Sequence, residues 1–348
     1  MGRWKRYRFS PRDRPNSRPS RPKIVIAAYL IMRLDSAHAV RMENPLSVMS
    51  WLLEGDPAIR WQVMRDLGNE RPEVVAAERA RVALEGWGAR LLALQTKDGH
   101  WDGDDRTMML TIHSLSLLRQ FGPDPTAKEV RAALDLVRGR LTWKPLDGRP
   151  FFDGETEPCL NGAILAVGAY FGESTDRLVD RLLGEQLEDG GWNCNAPESK
   201  RSSFNTTICV LEGLREYEAA YGANPAVTRS SRRGQEYLLE RRMYKSLTSG
   251  EVINRVWMRF AFPTTWHYDI LRGLDYLRSA GVSPDERVNE AVDIVEKRAH
   301  QNGRWPLNLL HDDRVPFDME PGVGKASRWN TLRALRVLKW AGKVASQQ

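Results

Sequence analysis

Apolar residues recur at helical spacing along almost the whole chain beyond about residue 45, and the alternation expected of strands is nearly absent. The periodicity predicts helices near 46–54, 57–68, 76–95, 107–121, 127–141, 159–171, 175–187, 204–220, 229–243, 265–280, 284–300 and 326–341, which pair as six hairpins. Their ends carry sensible punctuation. Gly122-Pro123, Gly172 and Gly222 follow apolar segments as C-terminal glycines, and Asp56-Pro57 and Ser283-Pro284 place a cap before a first-turn proline. Connections alternate between short turns (122–126, 172–174, 221–228, 281–283) and long loops (97–106, 142–158, 188–203, 244–264, 301–325). In stacked hairpins alternate connections share a face, so the long loops form one rim, where the N-termini of every second helix gather with their partial positive charge. Function is expected on that rim.

A short motif, Gln-x-x-Asp-Gly-x-Trp, punctuates this pattern. It occurs as Gln95 to Trp101 and Gln186 to Trp192, and in decayed form as Ala299 to Trp305, where Asn302-Gly303 stands for Asp-Gly. Each copy ends a helical segment and opens a long loop.

Motif and pairing together resemble the squalene cyclase and prenyltransferase (QW) repeat of class II terpene cyclases and protein prenyltransferase β-subunits, over about residues 42 to 342. The resemblance implies an all-α fold, an α/α toroid of six inner and six outer helices around a central cavity. It also implies that Trp101 and Trp192 are structural clasps, and that the ligand is an isoprenoid. Such toroids host unrelated reactions, so fold follows more firmly than chemistry.

Two further stretches bear on that resemblance. Asp102-Gly-Asp104-Asp105-Arg-Thr107 is similar to the cyclases' protonating Asp-x-Asp-Asp-Thr with one residue inserted. A carboxyl kept neutral by its neighbours can protonate an alkene, which makes Asp104 and Asp105 catalytic candidates; capping of the next helix is the alternative. Glu157-Pro-Cys159 and His267-Tyr-Asp269 stand where prenyltransferases place zinc ligands. The acid is Glu and the spacing is a hairpin too long, so no metal is expected and Cys159 reads as a small buried side chain.

The starts of the inner helices carry polar and aromatic residues whatever the family. Trp61, Cys159, Asn161, Asn205, Trp266, Arg328, Trp329 and Asn330 are the ligand-binding candidates, converging with Asp56 and Thr206 on one mouth. His267 and Asp269 are the acid/base candidates, although positions i and i+2 of a helix do not face each other. Capping and padding of the interior would use the same residue types. His113, one turn further in, is either a cavity or a satisfied core histidine, and His311-Asp312-Asp313 sits in the last long loop.

Charge redirects attention from the chain as a whole. Of its 52 Lys+Arg and 45 Asp+Glu, nine bases and one acid lie in residues 1–23, a net +8 against +7 overall, so the rest is close to neutral. Residues 1–41 read as a basic Pro/Arg-rich tail with a short apolar segment, and 42–348 as one toroid domain. The run Ile24 to Met32 is too short to span a bilayer. It reads as a signal-peptide core or as sequence ahead of an alternative start at Met42. Three cysteines without a C-x-x-C argue for a reducing, cytoplasmic setting. The neutral body argues against nucleic acid, and leaves a small molecule as the partner with at most peripheral membrane contact. Cofactor and oligomeric state are not specified. Three function classes stay open: an enzyme on an isoprenoid, a carbohydrate-active toroid (hydrolase, lyase or epimerase), and a non-catalytic helical-repeat binding protein.

Overall fold

The structure, a computed structural model, describes residues 45–101 and 108–343. Asp104 and Asp105, and the expected boundary at 41/42, lie outside the described residues. Six helices form an inner ring: α2 (Pro57–Asp66), α5 (Met109–Phe121), α7 (Pro158–Phe171), α9 (Phe204–Tyr221), α11 (Ile270–Ser279) and α13 (Arg328–Trp340). Each packs on the next, and α13 returns to α2 to close the circle. Outside them lie α1 (Pro45–Leu53), α3 (Pro72–Ala80), α4 (Gly86–Ala93), α6 (Lys128–Arg140), α8 (Asp176–Gly184), α10 (Pro225–Glu240) and α12 (Asn289–Lys297). This is the all-α toroid anticipated from the hairpin pattern.

Burial explains which helices go inside. The segment PCLNGAILAVGAYF of α7 is apolar on nearly every side, whereas α8 buries one stripe of Leu178, Val179 and Leu182 and presents charge elsewhere. The tightest inner contact is between α7 and α9. A Cβ on Gly162 would sit 2.5 Å from the Cys209 carbonyl oxygen, and one on Gly213 would sit 2.5 Å from that of Gly162, so only glycine lets the backbones meet.

The segment expected as one helix over 76–95 is two. Glu85 is extended and Gly86 has φ +64°, so the chain turns there. The reason is Asp56, which caps α2 through the Ala58 N–H at 2.9 Å and also receives the Trp87 N–H at 2.7 Å. A Cβ at Gly86 would strike that carboxylate.

The repeated motif is a clasp in all three copies. The indole N–H of Trp101, Trp192 and Trp305 donates to the carbonyl ten residues earlier, of Leu91, Leu182 and Val295, at 2.7 Å each. Gln95 donates to the carbonyls of Gly99 and Ala133, and Gln186 to those of Gly190 and Ser230, which ties each outer helix to the following one. Only the tryptophan half survives at Ala299 to Trp305. Among the described residues no helix is long and apolar enough to cross a membrane.

Candidate functional site

The inner ring encloses a cavity of about 530 Å³. Its lining comes mainly from the C-terminal halves of the inner helices and the turns behind them, not from the helix starts. Phe262, Thr264 and Trp329, at the long-loop end, are buried, whereas Arg65, Arg215 and Arg278, at the short-turn end, are exposed or half-exposed. Among the described residues, the cavity therefore opens at the short turns and is closed at the other end by loops 244–264 and 301–325. This corrects the expectation of a mouth among the inner-helix N-termini: loops 244–264 and 301–325 fold over that end, where Phe260 and Asn308 hydrogen-bond across them.

Charge dominates the wall. Eight arginines (Arg65, Arg79, Arg119, Arg215, Arg272, Arg278, Arg333, Arg336) face four carboxylates (Asp66, Glu212, Glu216, Asp275), and no aliphatic side chain is among the described lining residues. Apolar contact comes from aromatic faces, with the Phe262 and Trp329 rings stacked at 4.4 Å and Arg65 lying 4.5 Å from the centre of the Trp61 ring.

The arginines are unequally satisfied. Arg272 meets Glu212 with two parallel hydrogen bonds of 2.8 and 2.9 Å and donates to the carbonyls of Thr265 and His267. Burial pushes its pKa down, but Glu212 more than offsets this. Arg336 is buried as deeply, and the neighbouring Asp66 does not offset burial, so its pKa falls below the ordinary arginine value. The Nε of Arg336, the Nε of Arg119 and the Nε1 of Trp329 are buried without a hydrogen-bond partner. All three are N–H donors on cavity residues. A buried donor without a partner is costly, so an acceptor within reach of these nitrogens would be favoured.

The carboxylates are spoken for. Burial works against ionisation of Asp66 and Glu212, yet neighbouring arginines hold both down to about 2, and those beside Asp275 also hold it below its usual value. Among the described residues, none of these three is available as a protonated acid at neutral pH.

A second cluster lies on the long-loop rim. His267 Nε2 is 3.0 Å from Asp313 Oδ2, and Asp313 also accepts from Thr265 Oγ1 at 2.5 Å and Trp266 Nε1 at 3.2 Å. The His311 ring stacks on His267 at 3.6 Å. Burial and the neighbouring His267 push His311 down to about 4. Burial raises Asp313, but the hydrogen bonds from His267 and Thr265 hold it well below the carboxylate range.

The sequence candidates divide between these places. Trp61 and Trp329 line the cavity. The partner of His267 is Asp313 rather than Asp269, which is 2% exposed, caps α11 through the Arg272 N–H at 2.7 Å and faces Arg333 at 3.8 Å. Asn161, Asn205 and Asn330 hold long loops to inner helices by bonding backbone of Glu155, of Tyr268, and of Phe260 and Pro306. Arg328 turns outward onto Trp51, donating to its carbonyl and lying 4.5 Å from its ring centre. Trp266, 36% exposed, covers His267, and His113 Nδ1 bonds the Arg314 carbonyl. Cys159 lies beside Glu157 and Cys194, the one group of donors among the described residues close enough to hold a metal, with all three ligand atoms within 4.8 Å of one another.

Most of the cavity arginines lie inside the helices and towards their C-terminal ends, away from the helix starts that carry the sequence candidates. The available signal was charge inside otherwise apolar helices, as with Arg119 in MLTIHSLSLLRQF and Arg333 and Arg336 in RWNTLRALRVLKW.

No protein-family model matches the chain, and no curated protein sequence does. Solved structures that are similar include the type II terpene cyclase MstE from Scytonema without ligand (16% identity, 86% of this chain and 100% of that one, TM-score 0.38). Also similar is a variant of that cyclase in complex with geranylgeranyl dihydroxybenzoate (15%, 83% and 87%, TM-score 0.41). A likeness of that size carries no argument about ligand or reaction.

Proposed function

We propose that this toroid binds a phosphorylated small molecule in its central cavity, and that a prenyl diphosphate is the isoprenoid form of that ligand. The observation that carries the reading is a cavity wall in which eight arginines face four carboxylates, with N–H groups of Arg119, Trp329 and Arg336 that have no hydrogen-bond partner beside it. Arginine matches phosphate geometry with paired hydrogen bonds, and such bonds strengthen where water is excluded. The aromatic faces of Trp61, Phe262 and Trp329 suit an unsaturated chain.

A phosphorylated sugar is the second reading. It is favoured by the absence of aliphatic side chains from the described lining, since aromatic faces also serve sugar rings. Hydrolysis of a glycosidic bond inside the described cavity is disfavoured, because that chemistry needs one carboxyl kept protonated, whereas Asp66, Glu212 and Asp275 are held ionised and Glu216 is paired with Arg119 at 3.0 Å. As an isoprenoid enzyme the protein would take its acid from Asp104 or Asp105.

Calorimetric titration with inorganic pyrophosphate, farnesyl diphosphate and a nucleotide sugar tests the two readings together. Stoichiometric binding of farnesyl diphosphate, tighter than pyrophosphate, supports the first, and preference for the nucleotide sugar supports the second. Absence of binding by all three overturns the anionic cavity.

A further inference from the structure

We propose that Cys194 and Cys159 form a redox-active dithiol on the long-loop rim, with Cys194 the sulfur that a hydroperoxide oxidises and Cys159 the sulfur that resolves it. All three cysteines of the chain are free, and they come from the starts of α7 and α9 and the loop between them. The Cys159 and Cys194 sulfurs lie within 4.8 Å of each other.

Their surroundings are unequal. The Cys194 sulfur is half-buried, lies 3.4 Å from the Thr206 hydroxyl, and sits beside the Cys159 sulfur at the first turn of the 14-residue α7. These are the contacts that stabilise a thiolate, and a helix N-terminus adds to them. The neighbouring Cys159 leads the effects that bring Cys194 down to about 7, against burial and Glu157. Cys159 itself is buried and stays a thiol, its pKa raised by the neighbouring Cys194 and by burial; its S–H donates to Glu157 Oε2 at 3.6 Å. A half-buried sulfur beside a buried one is the arrangement of a peroxide-reactive thiol with its resolving partner. Cys209 is a bystander: burial pushes it up to about 11, and its sulfur is 3.7 Å from the Arg272 guanidinium.

The chemistry balances. The Cys194 thiolate attacks one peroxide oxygen and the O–O bond breaks, giving a sulfenic acid and an alcohol or water after protonation. Cys159 then loses its proton and attacks the Cys194 sulfur, the S–S bond forms, and the sulfenic oxygen leaves as water. Two thiols supply the two electrons that the hydroperoxide accepts.

The test is hydrogen peroxide added to the full chain, followed by a free-thiol count and peptide mapping without reductant. The expected result is a fall from three thiols to one, Cys209, reversed by dithiothreitol. C159S should stop at a sulfenic acid that dimedone traps on Cys194, and C194S should keep its two thiols under the same exposure. Thiol loss in C194S at the wild-type rate, a disulfide between two chains, or retention of all three thiols in excess peroxide would each overturn the assignment. So would stoichiometric metal in the purified protein that C194S lacks.

Discussion

Arg336 Nη2 of α13 donates to Gln62 Oε1 of α2 at 2.8 Å, joining residues 274 apart in sequence, and the same guanidinium pairs with Asp66. This bond closes the inner ring. Breaking it with Arg336→Leu leaves Asp66 to Arg65 alone and is expected to cost about 3 kcal/mol, the low end for a disrupted buried pair. Denaturant unfolding should show the loss, and Arg336→Lys should not restore it, because one ammonium cannot bridge Gln62 and Asp66 as the planar fork does.

The tryptophan clasps should matter for stability and not for ligand. Trp192→Phe removes the indole bond to the Leu182 carbonyl and Trp305→Phe leaves the Val295 carbonyl to the Arg298 N–H, and each should cost about 1–3 kcal/mol with unchanged ligand affinity. Paired unfolding and titration measurements separate the two effects. A change in affinity without a change in stability would place these residues in the site instead.

Much of the fold was legible in the sequence because apolar residues recur at helical spacing in every inner helix and glycines and prolines punctuate the segments. The split at Glu85 and Gly86 was not, since its cause is a carboxylate thirty residues earlier, on Asp56. The site was legible only in part. Trp61 and Trp329 were found by their place near helix starts, but so were Asn161, Asn205 and Asn330, whose amides turn back onto loop backbone. Sequence position fixes which end of a helix a residue occupies. It does not say whether the amide faces the hollow or the chain beside it, and Arg336 and Asp66 acquire their meaning only once α13 lies against α2.

Acid should destabilise the protein in two steps. His311, held down to about 4 by burial and by His267, binds a proton more readily unfolded than folded, so stability falls as pH drops from about 6.5 to about 4. Glu212 and Asp66, held down to about 2, contribute stability that is present above their unfolded values and lost as pH falls from about 4 to about 2. Thermal melts across this range should show both slopes. His311→Asn should flatten the upper one alone.

Arg119→Gln should weaken anion binding by about tenfold, the size of one charge-assisted hydrogen bond. Stability should change less, because Glu216, which Arg119 meets at 3.0 Å, keeps Arg215, and Glu212 keeps Arg272. Wild-type affinity should also fall as salt rises.

The most direct measurement compares farnesyl diphosphate with farnesol by calorimetry, in the wild-type protein and in Trp329→Phe, which deletes one unpartnered donor and keeps the ring. The account predicts one-to-one binding of the diphosphate, at least ~100-fold weaker binding of the alcohol, and a loss of about fivefold for the diphosphate in Trp329→Phe. Equal affinity for alcohol and diphosphate, with no effect of Trp329→Phe on either, would contradict an anion-binding cavity.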